Sequence, residues 1–333
     1  MKKDIISLEY CLKNFPLRIS ITDFCNLKCF FCSNEGMSLK QKNLTHVDIY
    51  YFKKIISFLH SRGLKKLSIT GGDPTLNPDI KEIITFLNGL KFDELFFHTN
   101  GINLDKDLLT KLSSNFNKIA ISIHSVNFDT WHVLTGGSKF QFDKLINNIK
   151  TAAKFNRITQ IEIKYVPIKG INDTKKEIVD FLNMCDKFKF KFKFLNFEPI
   201  KKSDIGLDMS IEELKKKLID IGCVLVKREE NFRGQKNYLP IEIFSYKRTL
   251  GVAIEIGCGL SEACHYCYKS NEIFVTPQLK IKPCHISPFT ISLFDLIKND
   301  NKKAIGKAIV DSRLFLKEAP GLGRYFWGLR NNI

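Results

Sequence analysis

Short β-like runs alternate with helical patterns through the first two thirds of the chain, and this alternation limits the fold more than any other feature. The β-like runs are residues 17–22, 66–70, 94–99, 118–125, 161–168 and 191–197. Between and after them, residues 47–60, 80–90, 139–155, 175–186 and 211–219 place apolar side chains at three- and four-residue spacing. Thr45 precedes the first helical stretch, and Ser210 with Glu213 forms an S-x-x-E capping box before the last. Strands separated by helices in this way read as parallel βα units. Six such units are too few to close an eight-stranded barrel. They suit an open, partial barrel whose functional loops sit at the C-terminal ends of the strands.

Four polar motifs fall at those strand ends. Cys25-Asn-Leu-Lys-Cys29-Phe-Phe-Cys32 follows the first strand, and Thr70-Gly71-Gly72-Asp73-Pro74 closes the second. Thr99-Asn100-Gly101 ends the third, and Ser122-Ile-His124-Ser125 the fourth. The fold therefore gathers them on one rim. The C-x3-C-x2-C spacing lets one loop offer three thiolates to a single metal centre, as iron–sulfur proteins do. With no fourth cysteine nearby, one iron of a four-iron cluster stays open to a non-protein ligand. A zinc knuckle or a redox thiol set is the alternative, although zinc loops more often use C-x2-C pairs. Gly71 and Gly72 let backbone approach a ligand closely; the plainer reading is a turn.

Seven of the ten cysteines lie in two groups, at 25–32 and 258–284. No apolar run is long enough to span a bilayer, and no signal-peptide pattern follows Met1. A cytoplasmic location is expected, with the grouped cysteines as metal ligands rather than disulfides. Cys11, Cys185 and Cys223 stand apart and read as buried thiols. The formal charge of +17 favours an anionic substrate or an acidic electron donor. Its lysines are spread along the chain, as in the Lys-Phe repeat at 187–194, and no nucleic-acid module accompanies them. Nucleic acid is therefore not the expected partner.

Beyond about residue 225 the periodicity weakens. Cys258, Cys264 and Cys267 open a second cysteine region that Cys284 closes, and Thr276-Pro-Gln-Leu279 before it reads as a hairpin turn. The expected division is a core at 1–225 and a C-terminal cluster region at 226–333. A four-cysteine zinc site is the alternative for that region. His265 and His285 adjoin these cysteines. The basic aromatic stretch at 321–333 has no evident role.

The cysteine loop, followed about forty residues later by Gly-Gly-Asp-Pro, resembles the radical S-adenosylmethionine (SAM) superfamily. The resemblance extends to the molybdenum-cofactor GTP 3′,8-cyclases. Arg18-Ile-Ser-Ile-Thr-Asp-Phe-Cys25, Ile69-Thr-Gly-Gly-Asp-Pro74, Thr99-Asn-Gly101, Lys169-Gly-Ile-Asn-Asp173 and the C-x2-C…C ending run in the order seen there. It implies an α/β fold, a partial (β/α)6 TIM-like barrel with a C-terminal iron–sulfur extension. It implies that Cys25, Cys29 and Cys32 hold one 4Fe–4S cluster. SAM then lies against Phe31, Gly71, Gly72, Asp73, Pro74 and Ser122, with Arg18, Thr99 and Asn100 toward the substrate. Cys264, Cys267 and Cys284 match the ligands of a second 4Fe–4S cluster, and Cys258 is an additional candidate that would close it. Core packing for Phe31 and a solvated strand end for Ser122 are the plainer readings. The activity implied is reductive cleavage of SAM to a 5′-deoxyadenosyl radical that takes hydrogen from a small-molecule or nucleotide substrate. A flavodoxin or ferredoxin would supply the electron.

Departures from the cyclases bear on the substrate. The family's arginine before Thr-Gly-Gly is Ser68, its strand-five lysine aligns with Glu162, and the Arg-x-Arg after the second cysteine is missing. The last cysteine gap is longer than usual, and the double-glycine C-terminus is Arg330-Asn-Asn-Ile333. Fewer cations to hold a triphosphate argue against GTP and for a relative of the cyclases. The ending Leu279-Lys-Ile-Lys-Pro-Cys284 also resembles the twitch or SPASM cluster domain of peptide-modifying relatives, with Leu279 where glycine is usual. A metal- or RNA-binding protein without catalysis is the expectation of another class.

Overall fold

The computed structural model describes residues 7–32, 44–197, 199, 204–232, 235–254, 272–284, 287 and 289–318. Its centre is a run of six parallel strands: β1 (Leu17–Ser20), β2 (Lys66–Thr70), β3 (Glu94–Thr99), β4 (Lys118–Ser122), β5 (Gln160–Tyr165) and β6 (Lys191–Leu195). β2 and β3 have the expected bounds; β1, β4, β5 and β6 stop short, because the chain turns into the rim loops there. The helices α2 (Ile49–Ser61), α3 (Ile80–Asn88), α6 (Lys139–Ala152), α7 (Lys175–Phe188) and α8 (Ile211–Asp220) match the periodic stretches to within a few residues. Before residue 225, three further helices were not read from periodicity: α1 (Leu8–Asn14), α4 (Lys106–Ser113) and α5 (Phe128–Thr135). Ser210 and Glu213 form the reciprocal capping box before α8. The cap of α2 is Asp48, which accepts the N–H groups of Tyr50 and Tyr51. Thr45 is not that cap: its hydroxyl donates to Asp23, and Val47 still bonds the β1 side through Ile21.

Alternation within the strands sorts two faces. Leu17, Ile19, Leu67, Ile69, Leu95, Phe97, Ile119, Ile121, Ile161 and Ile163 are buried with the apolar faces of the helices in one core. The Lys-Phe repeat follows the same rule: Phe190, Phe192 and Phe194 are fully buried, and Lys191 and Lys193 alternate with them. The opposite, inner face carries Arg18, Ser68, Thr70, His98, Lys118, Glu162, Lys164 and Lys193.

The later strands lengthen the same sheet at both edges. β7 (Val224–Phe232), β8 (Gln235–Tyr246) and β9 (Thr249–Ile254) form an antiparallel meander in which β9 pairs with β6. β10 (Ile273–Val275) pairs with β1 in parallel, and β11 (Lys280–Lys282) and β12 (Ile291–Ser292) follow it antiparallel. The order β12-β11-β10-β1-β2-β3-β4-β5-β6-β9-β8-β7 leaves β12 and β7 unjoined, so the sheet is open. Helices α9 (Phe294–Lys298) and α10 (Lys302–Glu318) end the described chain. No helix among the described residues is long and apolar enough to cross a membrane.

Candidate active site

The rim loops are bonded to one another through backbone. Gly72 donates its N–H to the Thr22 carbonyl at 2.8 Å, and Asp73 donates to the Phe24 carbonyl at 2.7 Å. The loop after β2 thus lies flat against the segment that leads into Cys25. A Cβ on Gly72 would stand 2.2 Å from the Phe24 carbonyl oxygen, and one on Gly71 2.6 Å from that of Thr22. These glycines are required by their own chain, in addition to any ligand that approaches them.

Asp73 is fully buried. Its carboxylate accepts the Thr99 hydroxyl at 2.8 Å, the Asn100 N–H at 2.6 Å and both the N–H and hydroxyl of Thr75. Burial pushes its pKa up, and these hydrogen bonds pull against that shift. Pro74, also buried, starts the short 3-10 turn that Asp73 caps. Thr99 and Asn100 are therefore tied to the second loop. The Asn100 side chain continues the chain of contacts: Nδ2 donates to Asn26 Oδ1 at 2.6 Å and lies 3.8 Å from Cys25 Sγ.

The cysteine loop also rests on the end of α5. Lys28 donates to the Thr135 carbonyl at 2.8 Å and Phe30 to that of Leu134 at 3.3 Å. Gln141 of α6 donates to the Asn26 carbonyl. Cys25 and Cys32 are exposed and Cys29 is half-buried. Desolvation in the loop pushes the Cys25 thiol up to about 11, aided by Asp73 and Cys32. The same effect, with Cys32 and Cys25 as neighbours, raises Cys29 further. The three sulfurs are thus within electrostatic reach of each other. Among the described residues no group of ligands is placed to hold a single metal ion. A four-iron cluster takes each thiolate at a separate iron, and three thiols on one loop suit that donor set.

Phe31 packs edge-on against His124, with ring centroids 4.9 Å apart, beside the small apolar group of Leu134, Ile168 and Phe197. His124 belongs to the Ser122–Ser125 rim motif, but no role for it was read from sequence. It sits just past β4 with a left-handed φ of 61°, and its Nδ1 accepts the Val166 N–H at 3.1 Å. Burial, with Lys164 nearby, lowers its pKa to about 3, so the ring is neutral. Asn172, of the Lys169–Asp173 motif, is buried and donates to the His124 and Val166 carbonyls. Ser122 is half-buried at the end of β4, paired in register with Lys164.

On the inner face, Arg18 pairs with Glu272 at 3.3 Å and donates to the Thr70 hydroxyl at 3.4 Å. Glu162 meets Lys118 at 3.2 Å. Burial pushes the Glu162 carboxyl up, but Lys193, Lys118 and Lys164 together bring it below the ordinary range. The carboxylate that counted against an anionic substrate is thus enclosed by lysines. Lys164 and Lys193 went unrecognised in the sequence; charged residues at every second position of β5 and β6 were the available signal.

The turn after β10 returns to the rim. Leu279 donates to the Thr276 carbonyl, as a hairpin turn requires, and Gln278 donates to Asp23 at 2.6 Å and to the Thr45 hydroxyl. Leu279 is buried with a left-handed φ of 55°, a backbone state that glycine adopts without strain. β11 then runs away from the rim, and Cys284 lies buried beyond its end. Cys258, Cys264, Cys267, His265, His285 and the 321–333 stretch lie outside the described residues. Cys11, Cys185 and Cys223 are buried thiols, as expected.

Residues 19–183 match the model of the radical SAM superfamily. The GTP 3′,8-cyclase of Clostridium acetobutylicum is 29% identical over 293 residues, covering 86% of this chain and 85% of that protein. The GTP 3′,8-cyclase of Petrotoga mobilis is 27% identical over 288 residues, 84% of this chain and 83% of that one. In fold, the chain is similar to Streptococcus suis SuiB bound to its precursor peptide SuiA, with a TM-score of 0.60 at 18% identity. That match covers 86% of this chain but only 64% of SuiB. Residues 19–183 carry a radical SAM domain, and the chain is an enzyme that works with SAM and a 4Fe–4S cluster.

Proposed function

We propose that Cys25, Cys29 and Cys32 hold the 4Fe–4S cluster and that the rim around them holds SAM. The observation that carries this reading is the convergence of three thiols on a loop that Gly71–Gly72 and α5 brace from two sides. Bound there, the cluster supplies the electron for reductive cleavage of SAM, which yields the radical that takes hydrogen from the substrate. The chain's own task is to position and to exclude water. The Asp73 carboxylate is consumed in holding Thr99, Asn100 and Thr75, so the backbone of residues 71–74 is the part left to meet SAM's amino group. Phe31, braced by His124, offers an apolar face for the adenine, and Ser122 a hydroxyl at the next strand end. Asn100 orients Cys25 through its amide.

In this reading the core ends near residue 225 and the C-terminal region brings a second 4Fe–4S cluster, held by Cys264, Cys267 and Cys284, with Cys258 as a further ligand. Cys284, the described member of that set, lies at the far end of β11 from the rim. The substrate is a small molecule or nucleotide bound on the inner face of the sheet, near Arg18. GTP is one candidate, given the relatives, and Lys164 and Lys193 compensate in part for the cations absent at Ser68 and Glu162. A peptide substrate is the second reading; the left-handed Leu279 and the fold of SuiB favour it. A flavodoxin or ferredoxin serves as electron donor in either case. Anaerobic reconstitution tests the two-cluster reading: about eight irons per chain are expected, and zinc at half the sites would remove the second cluster. The substrate is identified by which deuterated candidate passes its label into 5′-deoxyadenosine.

A further inference from the structure

We infer that the side-chain amide of Asn100 raises the reduction potential of the 4Fe–4S cluster by donating a hydrogen bond to the sulfur of Cys25. The inference rests on the reading of Cys25, Cys29 and Cys32 as ligands of that cluster. Asn100 follows directly on β3, at the rim. Its Nδ2 lies 3.8 Å from Cys25 Sγ, within hydrogen-bonding reach of an atom as large as sulfur. The same nitrogen stands 2.6 Å from Asn26 Oδ1. On the other side of the amide, Oδ1 accepts the backbone N–H of Ile102 at 3.0 Å.

These partners leave one orientation for the amide. A backbone N–H can only donate, so the atom that faces Ile102 is the oxygen, and the nitrogen faces Asn26 and Cys25. An amide NH2 has two hydrogens to give. One meets Asn26 Oδ1 and the other meets the sulfur. The backbone around it is fixed as well. The Asn100 N–H donates to Asp73 Oδ2 at 2.6 Å, and the Gly101 N–H donates to the Thr99 hydroxyl at 3.0 Å. Gln141 holds Asn26 in turn, donating to its carbonyl at 3.0 Å. The donor is thus aimed by the chain's own bonds.

Asn100 stands between two negative groups. The Asp73 carboxylate is buried and acts electrostatically on Cys25. A negative charge beside a cluster opposes the arrival of another electron. The amide works the other way. Reduction adds negative charge to the cluster and its sulfurs, and a hydrogen bond to a charged acceptor is the stronger one, so the reduced state gains more from it than the oxidised state. Partners of this kind around a metal's ligands tune the metal as well as orient the ligand. With one residue, the chain ties down the Asp73 carboxylate through backbone and offsets its charge at the sulfur through the side chain.

The test is a potentiometric titration of the full-length, anaerobically reconstituted protein, read by EPR of the reduced cluster. It is run without SAM, so that no contact between Asn100 and SAM enters the result. The signal to follow is the one that Cys29→Ala lacks, which sets aside a second cluster. Asn100→Ala removes the donor and adds no charge. Its cluster should be about tenfold harder to reduce, a midpoint lower by about 59 mV for one electron. Asn26→Ala breaks the other bond of the same nitrogen but leaves the donor to sulfur, with the amide oxygen still on Ile102. Its midpoint should match that of the wild type, which a merely structural role for Asn100 would not predict. If Asn100→Ala holds too little iron to titrate, Asn100→Asp takes its place. That carboxylate still accepts from Ile102 but has no N–H for the sulfur, and its midpoint should also fall. A midpoint in the Asn100 variant equal to or above that of the wild type, or an equal fall in Asn26→Ala, overturns the inference. A wild type with no Cys29-dependent signal defeats the cluster reading, and the inference with it. A Cys29-dependent signal whose midpoint Asn100 does not move defeats the Asn100 inference alone.

Discussion

The buried carboxylate of Asp73 accepts the backbone N–H of Asn100 at 2.6 Å. One short side chain thereby joins the loop after β2 to the end of β3, and Asn100 carries the connection on to Asn26 and Cys25. A further methylene at Asp73 has no room, because Asp73 is fully buried and its oxygens are already taken up. Asp73→Glu should destabilise the protein by about 1–3 kcal/mol, as overpacking does. Urea unfolding checks this; a variant as stable as wild type would show that the network does not set the side-chain length.

Gly72→Ala should do more than strain a turn. Its methyl would meet the Phe24 carbonyl at 2.2 Å and push the entry to the cysteine loop aside. After anaerobic reconstitution, its iron content should fall toward that of a second cluster alone. Gly170→Ala is the comparison, since Gly170 has a left-handed φ of 75° and nothing within 4 Å of its Cβ position. That change should cost only the backbone strain of about 1–2 kcal/mol and leave iron content unchanged. Equal iron content in both variants would contradict the bracing role of Gly72.

Stability should fall on mild acidification. His124 has a folded-state pKa of about 3 against an ordinary 6.5. Above 6.5 both folded and unfolded chains hold a neutral ring. Below it, the unfolded chain takes up a proton that the folded ring refuses. The stabilisation is therefore complete above the unfolded value and is lost as pH falls from 6.5 toward 3, by up to about 1.4 kcal/mol per pH unit. His98, also depressed by burial and by Lys164, adds a loss of the same sign. His124→Asn tolerates a left-handed backbone and should flatten the slope of unfolding free energy against pH. Parallel slopes in variant and wild type would contradict this.

Leu279 combines a left-handed φ of 55° with almost complete burial. Truncation loses about 2–5 kcal/mol of packing, but glycine recovers the left-handed strain and alanine does not. The usual order should therefore invert, with Leu279→Gly more stable than Leu279→Ala by about 1 kcal/mol. Thermal unfolding midpoints of the two variants decide it.

The parallel core was legible in the sequence because its strands are short and apolar on alternate positions and its helices repeat every three to four residues. The meander β7–β9 was not: Val224 and Val226 are exposed on an edge strand while charged residues follow, so neither a strand nor a helix period dominates. Short α4 and α5 are announced mainly by their caps, Asp105 and Asn127. At the site, the rim motifs could be placed from sequence because each follows a strand. The roles of Asp73 and of the two glycines could not, since they depend on contacts with Thr99, Asn100 and residues 22–24. Lys164 and His98 are 66 positions apart, and only the register of three strands brings them together.

The central claim is that Cys25, Cys29 and Cys32 hold the cluster that cleaves SAM. The most direct measurement is 5′-deoxyadenosine formed from SAM by the anaerobically reconstituted, dithionite-reduced protein, beside Cys29→Ala treated identically. The account predicts 5′-deoxyadenosine and methionine in equal amounts from the wild type and none above background from Cys29→Ala. No product from the wild type, or the same yield from the variant, would contradict it.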